Sequence, residues 1–278
     1  MVAEVSIAFR ALADTVFPPF HGRALQGWVY HLLAAGDAAH AAAVHRQAPV
    51  PFTCAELRGA RIGDQGLLHI QAGQQLTLRL TTLDVATLRA TEAGLAAAPP
   101  EVELRAKGPG AQRPRVLQAV TVDAGLVRAL TYRDFLDMPG GRHWSLTLHS
   151  RTAFSRDGRH MLLPLPELIF ANLVRKWNAF APGEEESLRV DVEPLLEHVT
   201  YGVVVSDLAD PHSEPLHAAH IEQGVVGTVG LAVLQDLPRP IFRQITTLLH
   251  FCRYAGLGER TAEGWGQAEA VRRPSGPD

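Results

Sequence analysis

The residues of this chain with the most evident chemical potential are its 13 histidines and a glycine-rich run near its C-terminal end. The stretch Gly256-Leu257-Gly258-Glu259-Arg260-Thr261-Ala262-Glu263-Gly264-Trp265-Gly266 places four glycines in eleven residues. Lacking β-carbons, such a backbone comes close to a partner and presents amide N–H groups to phosphate oxygens. The same composition suits a turn packed tightly on a sheet, and the residues alone leave both readings open. A P-loop is excluded, because the run lacks the G-K-[ST] ending and follows an expected helix rather than a strand. A dinucleotide fingerprint fails on the same topology. His212, His217 and His220 stand among Asp207, Asp210 and Glu214, side chains able to ligate a divalent metal. Their spacing fits no established ligand motif, so the expectation is a flexible polar loop with no metal and no cofactor. His45 follows an alanine-rich stretch and reads, by itself, as a solvated surface histidine. Tyr30 lies beside an apolar stripe and reads as a half-buried packing residue.

Composition narrows the class. The 278 residues are 46% hydrophobic and 20% charged, the profile of an ordinary globular protein with one large or two small domains. No apolar run approaches the length of a membrane span, and the alternating start MVAEVSIAFR does not resemble a secretory signal. Cys54 and Cys252 are the two cysteines, with no CxxC spacing. That pattern excludes a disulfide framework or zinc ribbon and fits a reducing cytoplasm. The net charge of −3 counts against a nucleic-acid partner, although local charge decides such binding. The cations are almost all arginine, which suits bidentate phosphate contacts and stacking on bases.

Periodicity supplies the elements that must position these residues. Residues 2–10 alternate as a strand. Leu25, Trp28, Val29, Leu32 and Leu33 form a helical stripe, and Asp37 is placed to cap a second short helix ending near Val44-His45. Strands are expected at 66–71 and 75–80, a helix within 81–97, and strands at 101–106 and 116–122, with a polar Gly/Pro/Arg loop at 108–115. A second unit begins after Pro139-Gly140-Gly141. It has a strand at 144–149, a helix after Pro164, strands at 188–193, 200–206 and 225–234, a helix at 240–254 and a last strand near 267–272. The order strand, helix, strand, strand, helix, strand thus occurs twice. The expected fold is α+β: two tandem ferredoxin-like (RRM-like) domains, at residues 1–136 and 142–278.

Several stretches, in order along most of the chain, resemble one family. LLHFCRYAGLGERTAEGWGQ is similar to the C-terminal glycine-rich signature of the RAMP superfamily: a helix, G-x-G, a short polar stretch, G-x-G and a strand. HGRALQGWVY at 21–30 and PFTC at 51–54 resemble the first helix and the Pro-Phe-Thr segment of the branch that processes precursor guide RNA. Ser150-Arg151-Thr152-Ala153-Phe154 resembles its Ser-Pro-Thr-x-Phe, with Arg151 in the usual proline position. LPLPELIFANLVRKWNAF at 163–180 resembles the helix that follows. The chain therefore resembles the CRISPR-associated endoribonucleases that cut precursor guide RNA at each repeat.

That resemblance implies metal-independent cleavage, in which a ribose 2′-OH attacks the adjacent phosphate and leaves a 2′,3′-cyclic phosphate and a 5′-OH. Such chemistry needs a base, an acid and donors for the phosphorane charge. His45, six residues before Pro51-Phe52-Thr53, stands where the family's catalytic histidine is expected, and Tyr30 matches a tyrosine that assists it in some members. At a helix C-terminus the carbonyl ends favour an imidazolium, which suits a general acid. Some members supply a lysine just before Phe-Thr; here Val50-Pro51 stands there, and Arg46 or another arginine would have to replace it. RNA contacts are expected from Gly256, Gly258, Arg260, Thr261, Gly264 and Gly266 and from Arg151 and Arg46; Arg142, Arg156 and Arg159 around the strand at 144–149 are open to an RNA-backbone contact or to an ordinary solvated face. His31 and His21 are weaker candidates, the latter as a phosphate contact or a turn residue. The implied partner is CRISPR repeat RNA; a homodimer and attachment to interference-complex subunits are both compatible with the resemblance, and no membrane is. The rival reading is a RAMP-type subunit that binds repeat RNA without cutting it.

Overall fold

In a computed structural model, the structure describes residues 1–63, 67–107, 113–183, 185–215, 223–234 and 236–274. The first half opens with β1 (Val2–Ala11) and a short β2 (Thr15–Phe17). Helices α1 (Gly22–Gly36) and α2 (Ala38–Arg46) follow. Next come β3 (Phe52–Cys54), β4 (Arg61–Ile62), β5 (Leu68–Ile70) and β6 (Gln75–Thr82). Then α3 (Val85–Ala97), β7 (Glu101–Ala106), β8 (Arg115–Leu130) and the single turn α4 (Tyr132–Leu136) complete it. The main sheet is antiparallel in the order β3-β6-β1-β8-β7. Its strand alternation sends Val5, Ile7, Phe9, Leu78 and Leu80 to the face covered by Leu25, Val29 and Leu33 of α1, as a period of two against a helical stripe requires.

Two expectations for this half are corrected. The second strand of the ferredoxin-like order is the three-residue β3, paired with β6, and not the stretch at 66–71. The latter contributes β5 to a separate three-stranded sheet, β2-β5-β4. Three buried residues are too few to show a period, so PFTC gave no strand signal. The strand expected at 116–122 runs from 115 to 130: its first part pairs with β7 in a hairpin, and its second part pairs with β1. Residues 108–112 of the expected loop lie outside the described residues.

The second half contains β9 (His143–Thr152), the hairpin β10 (Phe154–Arg156) and β11 (Arg159–Met161), α5 (Pro166–Phe180) and α6 (Val192–Gly202). It ends with β12 (Val203–Pro215), β13 (Gln223–Val233), α7 (Arg239–Ala255) and β14 (Ala268–Arg272). Its sheet order, β12-β13-β9-β14 with antiparallel neighbours, is the ferredoxin-like order. The strand expected at 188–193 is instead a 3₁₀ turn at Glu186–Leu188 followed by α6. Leu188 and Val190 are buried in alternation, but Val192 turns outward and Leu195 and Val199 take the core at helical spacing. Tyr132 and Phe135 of α4 pack into the second core beside Trp177 and Phe251, which Val2 of β1 and Leu83 also enter. No described helix is long and apolar enough to cross a membrane.

Candidate active site

Asp37 sets the turn that brings Tyr30 and His45 together. Its extended backbone stops α1, and its carboxylate accepts the His40 N–H at 2.9 Å to start α2. This N-cap satisfies a donor that the new helix would otherwise leave unmatched. His40 Nε2 lies 2.9 Å from Thr87 Oγ1 and ties α2 to α3. With α2 folded back, the His45 ring meets the Tyr30 ring edge to face, centroids 4.9 Å apart. Tyr30 also meets Phe52 of β3 edge to face, at 5.4 Å. His45 is exposed in the last turn of α2, Arg46 is exposed beside it, and Tyr30 is half-buried. The two stretches of this half that resemble the family, through Tyr30 and the buried Phe52, therefore meet beside His45. Burial, and then the Glu263 carboxylate, push the Tyr30 phenol above its ordinary pKa. At neutral pH Tyr30 is thus a hydrogen-bond donor.

Glu263 comes from the glycine loop, 240 residues from its partner Arg23, whose Nε it meets at 3.2 Å. The Arg23 side chain is 75% exposed. Arg23 and Tyr30 are seven residues apart on α1, hence on one face and about 10 Å apart along the axis. Neither Arg23 nor Glu263 stood out in the sequence. The available signal was the position of Arg23, two turns before Tyr30 within HGRALQGWVY.

The glycine loop itself is closed. The Gly258 N–H and carbonyl bond the Asn172 side chain, both at 3.1 Å. The Gly256 N–H bonds Cys252 O at 2.8 Å, Leu257 N–H bonds Gly266 O at 2.8 Å, and Gly266 N–H bonds Arg151 O at 2.7 Å. A β-carbon on Gly258 would lie 2.0 Å from Ala153 O, and one on Gly266 would lie 1.8 Å from Leu257 O. Gly256, Gly258, Thr261, Gly264 and Gly266 are buried. The expected offer of Gly256, Gly258 and Gly266 amides to phosphate is therefore corrected: those donors are bonded within the protein, and packing is what demands glycine. Lys176, buried in α5, adds a clamp from Nζ to Ala255 O at 2.8 Å, Gly256 O at 3.1 Å and Thr261 Oγ1 at 3.4 Å. Burial, assisted by Arg175, lowers its pKa to about 7.

The remaining candidates separate by exposure. Arg151 is only 8% exposed; its guanidinium lies 3.8 Å from the Phe20 ring centroid and 3.9 Å from Glu56. It fastens the two units rather than facing solvent, against the expected RNA contact. Arg260 holds a left-handed backbone with its guanidinium 5.4 Å from the Trp265 ring and is partly exposed. Arg142 bonds Leu234 O at 2.7 Å and lies over Phe242, whereas Arg156 and Arg159 face each other across the exposed β10–β11 hairpin. His31 is exposed on another face of α1. His21 is buried: Nε2 accepts the Leu57 N–H at 3.0 Å, so Nδ1 carries the proton donated to Pro18 O at 3.0 Å. Desolvation drops its pKa to about 4, which makes it a neutral cross-link and not a phosphate contact. Thr53 is likewise structural, sharing a buried cluster with Thr81 Oγ1 at 2.6 Å and Tyr254 O. Among the described residues no group of three metal-ligating side chains gathers. His217, His220 and the Glu214 side chain lie outside the described residues.

Residues 146–268 match the family described as CRISPR-associated endoribonuclease Cas6. No curated protein matches the sequence. Among solved structures, a product complex of Thermus thermophilus Cas6 is similar at a TM-score of 0.74 and 21% identity, covering 98% of this chain and 100% of that one. A second Cas6 product complex gives 0.68 at 23% identity, with 98% and 100% covered. A RAMP protein described as binding different RNA substrates gives 0.62 at 14% identity, with 97% and 100% covered. The resemblance to the CRISPR-associated endoribonucleases of RAMP type thus holds in sequence over the second unit and in fold over the whole chain.

Proposed function

We propose, from a chain that shares sequence with these nucleases over its second unit and their fold throughout, that it cuts CRISPR repeat RNA and so matures guide RNA. The observation that carries this reading is the Tyr30–His45 ring pair at 4.9 Å on an open face that also presents Arg23 and Arg46. In the reaction the 2′-oxygen bonds to phosphorus as the bond from phosphorus to the 5′-oxygen breaks. One proton leaves the 2′-oxygen and one reaches the 5′-oxygen. The products are a 2′,3′-cyclic phosphate and a 5′-OH, and no metal takes part. His45 moves a proton in this exchange, the role for which an imidazole is suited near neutral pH. Tyr30, held protonated, donates a hydrogen bond toward the reacting phosphate. Arg23 supplies the cation for the phosphorane charge that Val50-Pro51 cannot supply, and Arg46 flanks the same site.

The test uses end-labelled repeat RNA from the source genome, incubated in EDTA with wild-type protein and with His45→Ala. The expected result is a single wild-type cut ending in a cyclic phosphate, slowed about 1,000-fold in the variant as loss of an acid–base group does, with RNA binding retained. Binding by both proteins without any cut would establish the rival RNA-holding subunit, for which the absent lysine speaks. Unchanged cutting by the variant would keep the activity and remove His45 from it.

A further inference from the structure

The ferredoxin-like order does not require the small sheet β2-β5-β4, yet a cavity of about 910 Å³ opens on it. Cross-strand register explains its lining. His69 of β5 faces Arg61 of β4 on one side and Val16 of β2 on the other, so these three side chains share one face of the sheet. The next row, Phe17 and Leu68, is buried beneath. Arg115, paired with Ala106 at the turn end of the β7–β8 hairpin, reaches across from the main sheet and bonds Val16 O at 3.2 Å. Arg61, His69 and Arg115 are all exposed. Among the described residues that line the cavity the one acid, Asp14, accepts the Ala72 N–H at 2.8 Å. In a chain of net charge −3, two arginines thus converge on a concave surface. Half-buried Val16 and Val116 give it an apolar floor, and Gln71 and Gln74 stand at its rim.

We infer that this cavity is a second RNA subsite, which holds one nucleotide of the repeat strand away from the phosphodiester that is cut. Arg61 and Arg115 take the phosphate between them, as guanidinium forks do. The base lies on the Val16–Val116 floor with the His69 ring available to stack, the combination by which single strands are held. The placement suits this role. Phe17 of β2 packs on His21 at the start of α1, and Tyr30 is nine residues further on, about 13 Å along the helix. A strand crossing that distance covers a few nucleotides. The subsite therefore adds affinity and register without touching the reacting atoms. The inference rests on the RNA-cutting reading above.

The experiment measures binding of labelled repeat RNA by fluorescence anisotropy across a range of KCl, for the wild type, Arg61→Glu and Arg61→Ala/Arg115→Ala, together with single-turnover cleavage at saturating protein. Loss of one phosphate contact is expected to weaken binding about tenfold and to reduce the slope of log Kd against log[KCl] by about 0.7. The saturating cleavage rate should stay at the wild-type value. Arg61→Glu alters an exposed side chain, so its result does not depend on the Arg115 bond to β2. Wild-type affinity and slope in both variants would overturn the subsite while leaving the nuclease intact. A wild type that neither binds nor cuts repeat RNA would overturn both readings together. A saturating rate that falls with affinity would also overturn the inference, by placing these arginines in the reaction itself.

Discussion

The glycine loop and the α1–α2 surface meet at Glu263, and they solve opposite problems. In the loop, backbone groups of Gly256, Leu257, Gly258 and Gly266 already have partners within the protein, and an added methyl collides with a carbonyl oxygen at 1.8–2.0 Å at two positions. On α1, a methyl added at Gly27, between Arg23 and Tyr30, meets nothing within 4 Å. The first region is demanding because it is crowded, and its crowding fixes where Glu263 sits. The second is open, so its exposed side chains are the ones available to a large ligand. The more conspicuous sequence pattern therefore marks the scaffold, and the chemistry is proposed for residues that look ordinary.

The sharpest way to break this comparison is Gly266→Ala. With a left-handed backbone at φ 66° and a carbonyl where the β-carbon must go, the substitution should cost about 3 kcal/mol or more. Urea unfolding would show it as a large fall in midpoint, and a wild-type midpoint would mean that the loop yields easily. A somewhat smaller effect should come from His21, a neutral ring that ties the start of α1 to Pro18 O and the Leu57 N–H. Its folded pKa of about 4 lies below its ordinary value of 6.5, so between these pH values the unfolded chain binds the extra proton. Stability is then full above pH 6.5 and is lost as pH falls toward 4, by about 3 kcal/mol from this group. His21→Gln should be less stable at pH 7 and should show a flatter decline. Equal slopes in wild type and variant would remove His21 from the acid response.

What the sequence made legible follows the same division. The second unit shows through because β9, α5 and α7 have long, regular stripes and α5 carries Pro166 in its first turn. The helix α6 was hidden by the alternation of Leu188, Val190 and Val192. The strand β3 is too short to have a period, and β5 looks like a strand without revealing which sheet it joins. His45 and Tyr30 were found only through family resemblance, since no local rule separates an exposed histidine at a helix end from any other. Arg23 and Glu263 form a pair across 240 residues, a separation at which one sequence carries no pairing signal. The cavity on the small sheet depends on the Arg61–His69–Val16 register, which is set by tertiary pairing.

The smallest effect sharpens the comparison from the other side. Gly27→Ala places a methyl on the open face of α1 where it touches nothing. Glycine in a helix interior costs about 0.5–1 kcal/mol relative to alanine. Thermal unfolding of Gly27→Ala should therefore occur a few degrees higher than in the wild type, the reverse of Gly266→Ala. If the RNA strand crosses this face on its way from the small-sheet cavity to His45, the same methyl should weaken repeat-RNA binding while the unbound protein gains stability. Higher stability with unchanged binding would place the strand elsewhere on the surface. Lower stability would show that α1 is packed at Gly27 as tightly as the loop, and the contrast between the two regions would fail.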